Sequence, residues 1–157
     1  MSGDASRQDM IDRAYQRTPE LRTMPVTTTP EESAVTTAYW CVLIAGLLPY
    51  TATLSAKGGT RFDNHNPRAW LAAQTGWRAR AHAAQLNGFE AFPLFAAAVI
   101  VAQQIGAPQS RVNALALVFV AARVVYLGAY IADLALLRSI VWFVGIGSAV
   151  AIFLAGS

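Results

Sequence analysis

The chain has 157 residues, 55% of them hydrophobic and only 13% charged, against roughly 25% charge in ordinary soluble domains. Residues 1–34 hold six acids and four arginines, a net −2, whereas the remainder holds eight basic residues against Asp63, Glu90 and Asp133, a net +5, so the overall +3 averages two unlike regions. The basic residues cluster between long apolar segments instead of interleaving with polar and aromatic residues, which argues against nucleic acid as a partner and points to a membrane. The single cysteine, Cys41, excludes an intrachain disulfide and reads as a small buried hydrophobe.

In chain order, residues 1–36 read as a tail, largely flexible or docking a partner. Within it, Met10, Ile11, Ala14 and Tyr15 cluster on one or two amphipathic turns, and "TTTPEESAVTT" is a linker. The first 34 residues contain no apolar core of the signal-peptide kind. A helix needs about 20 predominantly apolar residues to cross a bilayer, and four segments meet or approach that length: 37–56, 83–105, 112–131 and 139–154. Tyr39 and Trp40 anchor the first at an interface. A soluble four-helix bundle would carry a polar stripe on each helix, and "VWFVGIGSAVAIFLAG" has none. The expected fold is all-α: a polytopic membrane four-helix bundle over residues 37–157, in contact with membrane lipids.

Between the first two spans lie Lys57, Arg61, Arg68, Arg78 and Arg80 against the lone Asp63. The excess of basic residues predicts that loop 57–82 is cytoplasmic and that both termini lie on the opposite side. Within the loop, Asn66 is placed to cap a short helix with Pro67 at its first position. Trp70 and Leu71 are expected to rest on the membrane surface and Gly76 to end the helix, with Thr75 or Gly76 starting the second span. From Trp77 to Ile105 that span measures about 43 Å at 1.5 Å per residue, longer than a bilayer core of about 30 Å. Arg78, Arg80 and His82 should therefore stand in the cytoplasm or the headgroups. Pro49 and Pro93 are expected to kink their spans.

Charges inside spans are costly and face a bundle interior or a wet cavity. Arg80, Asn87 and Glu90 share one face of the second span by their spacing of seven and three. On the third, Arg123 and Tyr130 are seven apart, with Tyr126 and Asp133 at helical spacing beside them; Arg138 and Ser139 open the fourth. All lie at compatible depths near the cytoplasmic end, so one polar cluster can hold them. Glu90 is expected to pair with Arg123, an interaction that either fixes helix register or belongs to a binding site. Such a pairing leaves Arg80 and Arg138 over, and surplus arginines at a half-buried site suit an anionic ligand. His65 and His82 have no partners at metal-ligand spacing, so no metal is expected. Gly145 and Gly147 read as close-packing residues, and four short spans without an internal repeat argue against a transporter.

These residues resemble the MAPEG family, the membrane-associated proteins in eicosanoid and glutathione metabolism. The resemblance rests on Arg80, Asn87, Glu90 and Pro93 in the second span, Arg123, Tyr126 and Tyr130 in the third, and Arg138-Ser139 at the start of the fourth. "DNHNPRAWLAAQTGWRARAHAAQLNGFEAFPLFAAAV" looks closest to the family's little-characterised bacterial branch. The likeness covers residues 37–157, and the tail has no counterpart in the family pattern. It implies a homotrimer that binds glutathione between protomers at the cytoplasmic end, and transferase or peroxidase activity toward lipophilic electrophiles or hydroperoxides. On that resemblance Arg80, Asn87, Glu90, Arg123, Tyr126 and Tyr130 would hold glutathione, and Arg138 and Ser139 would face its thiol.

The sequence also departs from the pattern. Ala83 stands where the well-studied members carry an arginine four residues before the asparagine, Ala79 stands where an acid often precedes Arg80, and the first span has no basic residue. Each charge-assisted hydrogen bond missing from the cradle weakens binding by about 1.5–3 kcal/mol. A second reading follows: a catalytically silent subunit of this fold, joined to a larger membrane assembly through its tail.

Overall fold

The computed structural model describes residues 35–59 and 61–156, together with Asp9, Met10 and Arg13. Val35–Ser157 is one compact unit and Met1–Ala34 another. Asp9, Met10 and Arg13 have helical backbone, Val35 and Thr36 lead into the first span, and the rest of the expected tail lies outside the described residues.

The membrane unit comprises α1 (Thr37–Lys57), α2 (Pro67–Ala72), α3 (Gly76–Gln104), α4 (Gln109–Ile131) and α5 (Ala135–Phe153), closed by a 3₁₀ turn over Leu154–Gly156. No strand occurs among the described residues. The four long helices are each apolar and long enough to cross a membrane, as expected for a polytopic bundle. Three begin earlier than their apolar runs. The helix of α3 extends back through Trp77–His82 to Gly76, and that of α4 begins at Gln109. That of α5 starts immediately after a three-residue turn.

The bundle closes through small residues. The buried face of α1 is Ala38, Cys41, Ala45, Pro49, Ala52 and Ala56. Ala38, Cys41 and Ala45 share one core cluster with Ala91, Ala98 and Ala102 of α3, small residues of the kind that let membrane helices pack closely. A Cβ at Gly88 would lie 2.7 Å from Pro49 Cγ, so only glycine fits where α3 crosses the proline of α1. At the centre the rings of Phe95 and Phe119 stack at 3.8 Å, nearly parallel. Cys41 is buried in this core.

The loop between α1 and α3 differs from its sequence reading in three respects. Leu71 is buried with Ala56 and Ala81, and Trp70 packs on the same cluster. The short helix is thus docked on the end of the bundle, with these two side chains turned inward instead of resting on a membrane surface. Phe62 extends the cluster, meeting Trp70 edge-on at 5.1 Å and lying beneath the Lys57 ammonium at 4.0 Å. Asn66 does stand at the N-cap with Pro67 following, but its side chain makes no capping bond. Asp63 Oδ1 closes the turn instead, accepting from the His65 and Asn66 amides at 2.8 and 3.4 Å. Finally, α2 ends at Ala72, and Gly76 takes a φ of +60° to begin α3. Arg78 secures the end of α1 by donating to the Ala56 and Gly58 carbonyls at 3.1 and 3.2 Å.

Candidate functional site

The polar residues of the spans converge between α3, α4 and α5. Arg123 is only 5% exposed, and its Nη2 donates to Asn87 Oδ1 at 3.0 Å. Asn87 Nδ2 in turn donates to Glu90 Oε2 at 3.3 Å. The expected direct pairing of Glu90 with Arg123 is therefore corrected: the asparagine amide stands between them and relays the interaction. Glu90 lies on the exposed flank of α3, while Arg123 lies inside, a separation the amide spans.

From Arg123 a ladder of cations and rings runs outward. The Arg123 Cζ sits 4.2 Å from the centre of the Tyr126 ring. Tyr126 meets Tyr130 edge-on at 5.5 Å, and the Arg138 Cζ lies 4.6 Å over the Tyr130 ring. Tyrosine and arginine one turn apart on α4 make the inner half of the ladder, and the turn into α5 brings Arg138 back over the outer ring. Each cation–ring pair contributes about 0.5–2 kcal/mol, more where water is excluded. No carboxylate lies within ion-pair distance of Arg123 or Arg138 among the described residues, so the ladder retains positive charge.

Two spaces adjoin it. A void of about 20 Å³, room for a single water, lies among α1, α3 and α4 and is lined in part by Ala45, Pro49, Gly88, Arg123 and Tyr126. An open pocket of about 250 Å³ is lined by Tyr126, Tyr130, Arg138, Ser139, Trp142 and Phe143. Tyr126 borders both. Ser139, in the pocket wall, donates its hydroxyl proton to the Ala135 carbonyl at 3.1 Å. Trp142 and Phe143 were not identified from the sequence as site residues. The available signal was their position four residues beyond Arg138 and Ser139, one helical turn along the same face.

Arg80 is placed elsewhere. Its Nε donates to the Ile131 carbonyl at 3.1 Å, and Nη1 lies 3.6 Å from Asp133 Oδ2. It thus serves the end of α4, apart from the ladder. His82 Nδ1 is 3.2 Å from Gln85 Oε1, and no group of three metal-ligating side chains forms among the described residues.

A family model described as the MAPEG family matches residues 37–156. The chain belongs to the MAPEG family. Comparisons with curated proteins and with solved structures return no match. The MAPEG match begins at the first residue of α1 and contains the whole bundle, including every member of the cation–ring ladder. The chain is accordingly an integral membrane MAPEG protein.

Proposed function

We propose that this MAPEG protein binds glutathione at the outer end of the ladder and promotes attack of its thiolate on lipophilic electrophiles or hydroperoxides. The observation that carries the reading is the Arg123–Tyr126–Tyr130–Arg138 ladder opening into a pocket with an apolar wall. Glutathione would bring two carboxylates, an ammonium group and the nucleophilic sulfur. The donor set suits these groups: Arg138 and Arg123 for anionic atoms, Tyr130 as a hydroxyl donor, Glu90 for an ammonium, and Asn87 for an amide.

The chain's own residues supply binding, orientation and electrostatics. Arg138, held over the Tyr130 ring, places a cation where a thiolate would lie, and each unit by which it lowers a thiol's pKa corresponds to about 1.4 kcal/mol. Ser139 can donate there only by giving up its bond to Ala135, because a hydroxyl has one proton; Arg138 is therefore the principal stabiliser. Trp142 and Phe143 exclude water and receive the apolar part of the second substrate.

Glu90 supports an assembly of copies. It is an exposed carboxylate on a membrane helix, and such groups face protein or water, not lipid. A neighbouring protomer in a homotrimer would cover it and complete the site. The cluster of Lys57, Arg61, Arg68 and Arg78 at the same end supports a cytoplasmic location for the pocket, in a bacterial inner membrane, with both termini opposite. The silent-subunit reading also has specific support: Ala83 offers no cation, and Arg80 is already bound to the end of α4.

The test is a glutathione titration of the full chain in lipid nanodiscs, following thiolate absorbance in the ultraviolet. A saturable signal that Arg138→Ala abolishes and Arg111→Ala retains is expected. Wild-type protein with no signal at cellular glutathione concentrations would overturn the enzyme reading in favour of the silent subunit.

A further inference from the structure

We propose that Arg80 and Asp133 are positioning residues that lock the α4–α5 turn and thereby aim Arg138, and that Arg80 is not a ligand of the bound anion. The functional consequence rests on the reading of Arg138 above; the lock itself does not. Only Ala132, Asp133 and Leu134 separate α4 from α5. The turn is closed by three backbone bonds: Ala132 to the Gly128 carbonyl at 2.9 Å, Asp133 to Tyr130 at 3.2 Å and Leu134 to Ala129 at 2.8 Å. This is the six-to-one closure of a helix C-terminus, whose left-handed position usually falls to glycine. Here Asp133 occupies it with a φ of 64°, the only non-glycine residue with positive φ among those described.

An aspartate at that position costs conformational energy that glycine avoids, less than most side chains would because a short polar group is tolerated there, but a neutral asparagine would serve the turn as well, so the charge calls for a partner of its own. Arg80 provides it. A single guanidinium from α3 donates to the Ile131 carbonyl, one of the last carbonyls of α4 that lack an intrahelical partner, and lies against the Asp133 carboxylate. The cation also sits at the negative end of the helix dipole. An exposed ion pair by itself contributes little; two points of attachment, one on the last residue of α4 and one within the turn, fix its orientation.

The locked turn carries the ladder's outer rung. The Tyr130 carbonyl accepts from the Asp133 amide, and the Leu134 carbonyl accepts from the Arg138 amide at 2.9 Å, so one short segment connects the ring to the guanidinium stacked on it. Rotation of the turn would move Arg138 off Tyr130. Arg80 is engaged at this junction and is not among the residues that line the pocket beside Arg138.

A double-mutant cycle on the full chain in nanodiscs separates the two roles. If Arg80 locks the turn, Arg80→Gln and Asp133→Asn each weaken glutathione binding by about tenfold, the ratio corresponding to one charge-assisted hydrogen bond, and the double variant is no weaker than either. If Arg80 were a ligand, Asp133→Asn would release it and leave binding unchanged or tighter, while Arg80→Gln alone weakened it; that result overturns the proposal. Hydrogen exchange provides a readout that needs no ligand. The Ala132, Leu134 and Arg138 amides should exchange faster in both single variants than in wild type, and no faster in the double variant than in either single one. Should wild-type protein bind no glutathione, the functional reading fails while this exchange pattern still decides the lock: unchanged protection overturns it.

Discussion

The two ends of the bundle handle polar side chains in different ways. At the end holding the start of α1, neutral groups satisfy one another. Asn113 Oδ1 accepts from the Ala38 amide at 3.0 Å and from Gln109 Nε2 at 2.7 Å, while Thr36 Oγ1 accepts from Gln103 at 3.2 Å. At the other end, Arg123 and Arg138 are held by aromatic faces and an amide, with no carboxylate within ion-pair distance among the described residues. The first network is closed and neutral, so removing a member should cost stability alone. The second leaves charge unmatched beside a pocket, so removing a member should cost binding. A polar cluster in a membrane protein thus reveals its role by what remains unpaired, more than by how many polar atoms it contains.

The largest expected effect tests the charged end. Arg123→Met keeps the stem and removes the guanidinium. Removing the guanidinium relieves the desolvation cost of a buried cation but leaves Asn87 Oδ1 without its donor, so the melting temperature should move by only a few degrees. Glutathione affinity should fall about a hundredfold, the equivalent of two charge-assisted hydrogen bonds. Isothermal titration and a thermal melt on the same preparation check both halves. A variant that binds normally would reduce Arg123 to a register residue and erase the contrast between the two ends.

Next in size is a packing test at the seam below the ladder. Gly88→Val places a branched side chain where even a Cβ would meet Pro49 Cγ at 2.7 Å. Overpacking of this kind costs about 1–3 kcal/mol, and it pries α1 from α3 beside the small void under Arg123. Pro49→Ala in the same chain should recover part of the loss by clearing the obstructing atom. Thermal unfolding of the two variants measures the recovery, and equal instability in both would place the strain elsewhere.

The four spans were legible as runs of apolar residues, because a bilayer imposes a length that composition reveals directly. Which polar side chains share a face of one helix was equally legible, since that depends only on spacing: Asn87 with Glu90, Arg123 with Tyr126 and Tyr130. Relations across helices were not. Spacing carries no information on relative depth or rotation, so the direct Glu90–Arg123 pair was expected where Asn87 intervenes. Arg80 finds a backbone carbonyl, an acceptor with no side-chain signature. The inward turn of Leu71 was not legible, because a helix of six residues has fewer than two turns, too short for periodicity to distinguish a buried face from a membrane-resting one. The role of Asn113 was invisible for a related reason: it caps α1 from another helix, 75 residues away in sequence.

The smallest effect completes the contrast from the neutral end. Asn113→Ala removes the acceptor of two donors, including the Ala38 amide in the first turn of α1, one of the amides a helix start leaves without an intrahelical partner. Loss of such a cap costs about 1 kcal/mol, lowering the melting temperature by a few degrees in a chain of this size. Asn113→Asp keeps an oxygen acceptor for both donors and should recover most of the stability. Glutathione affinity should be unchanged in both variants, since the residue sits at the opposite end of α4 from Tyr130. A binding loss in Asn113→Ala that tracked its lost stability would mean that the whole bundle transmits strain to the pocket. The division into a structural end and a binding end would then give way to a single cooperative unit.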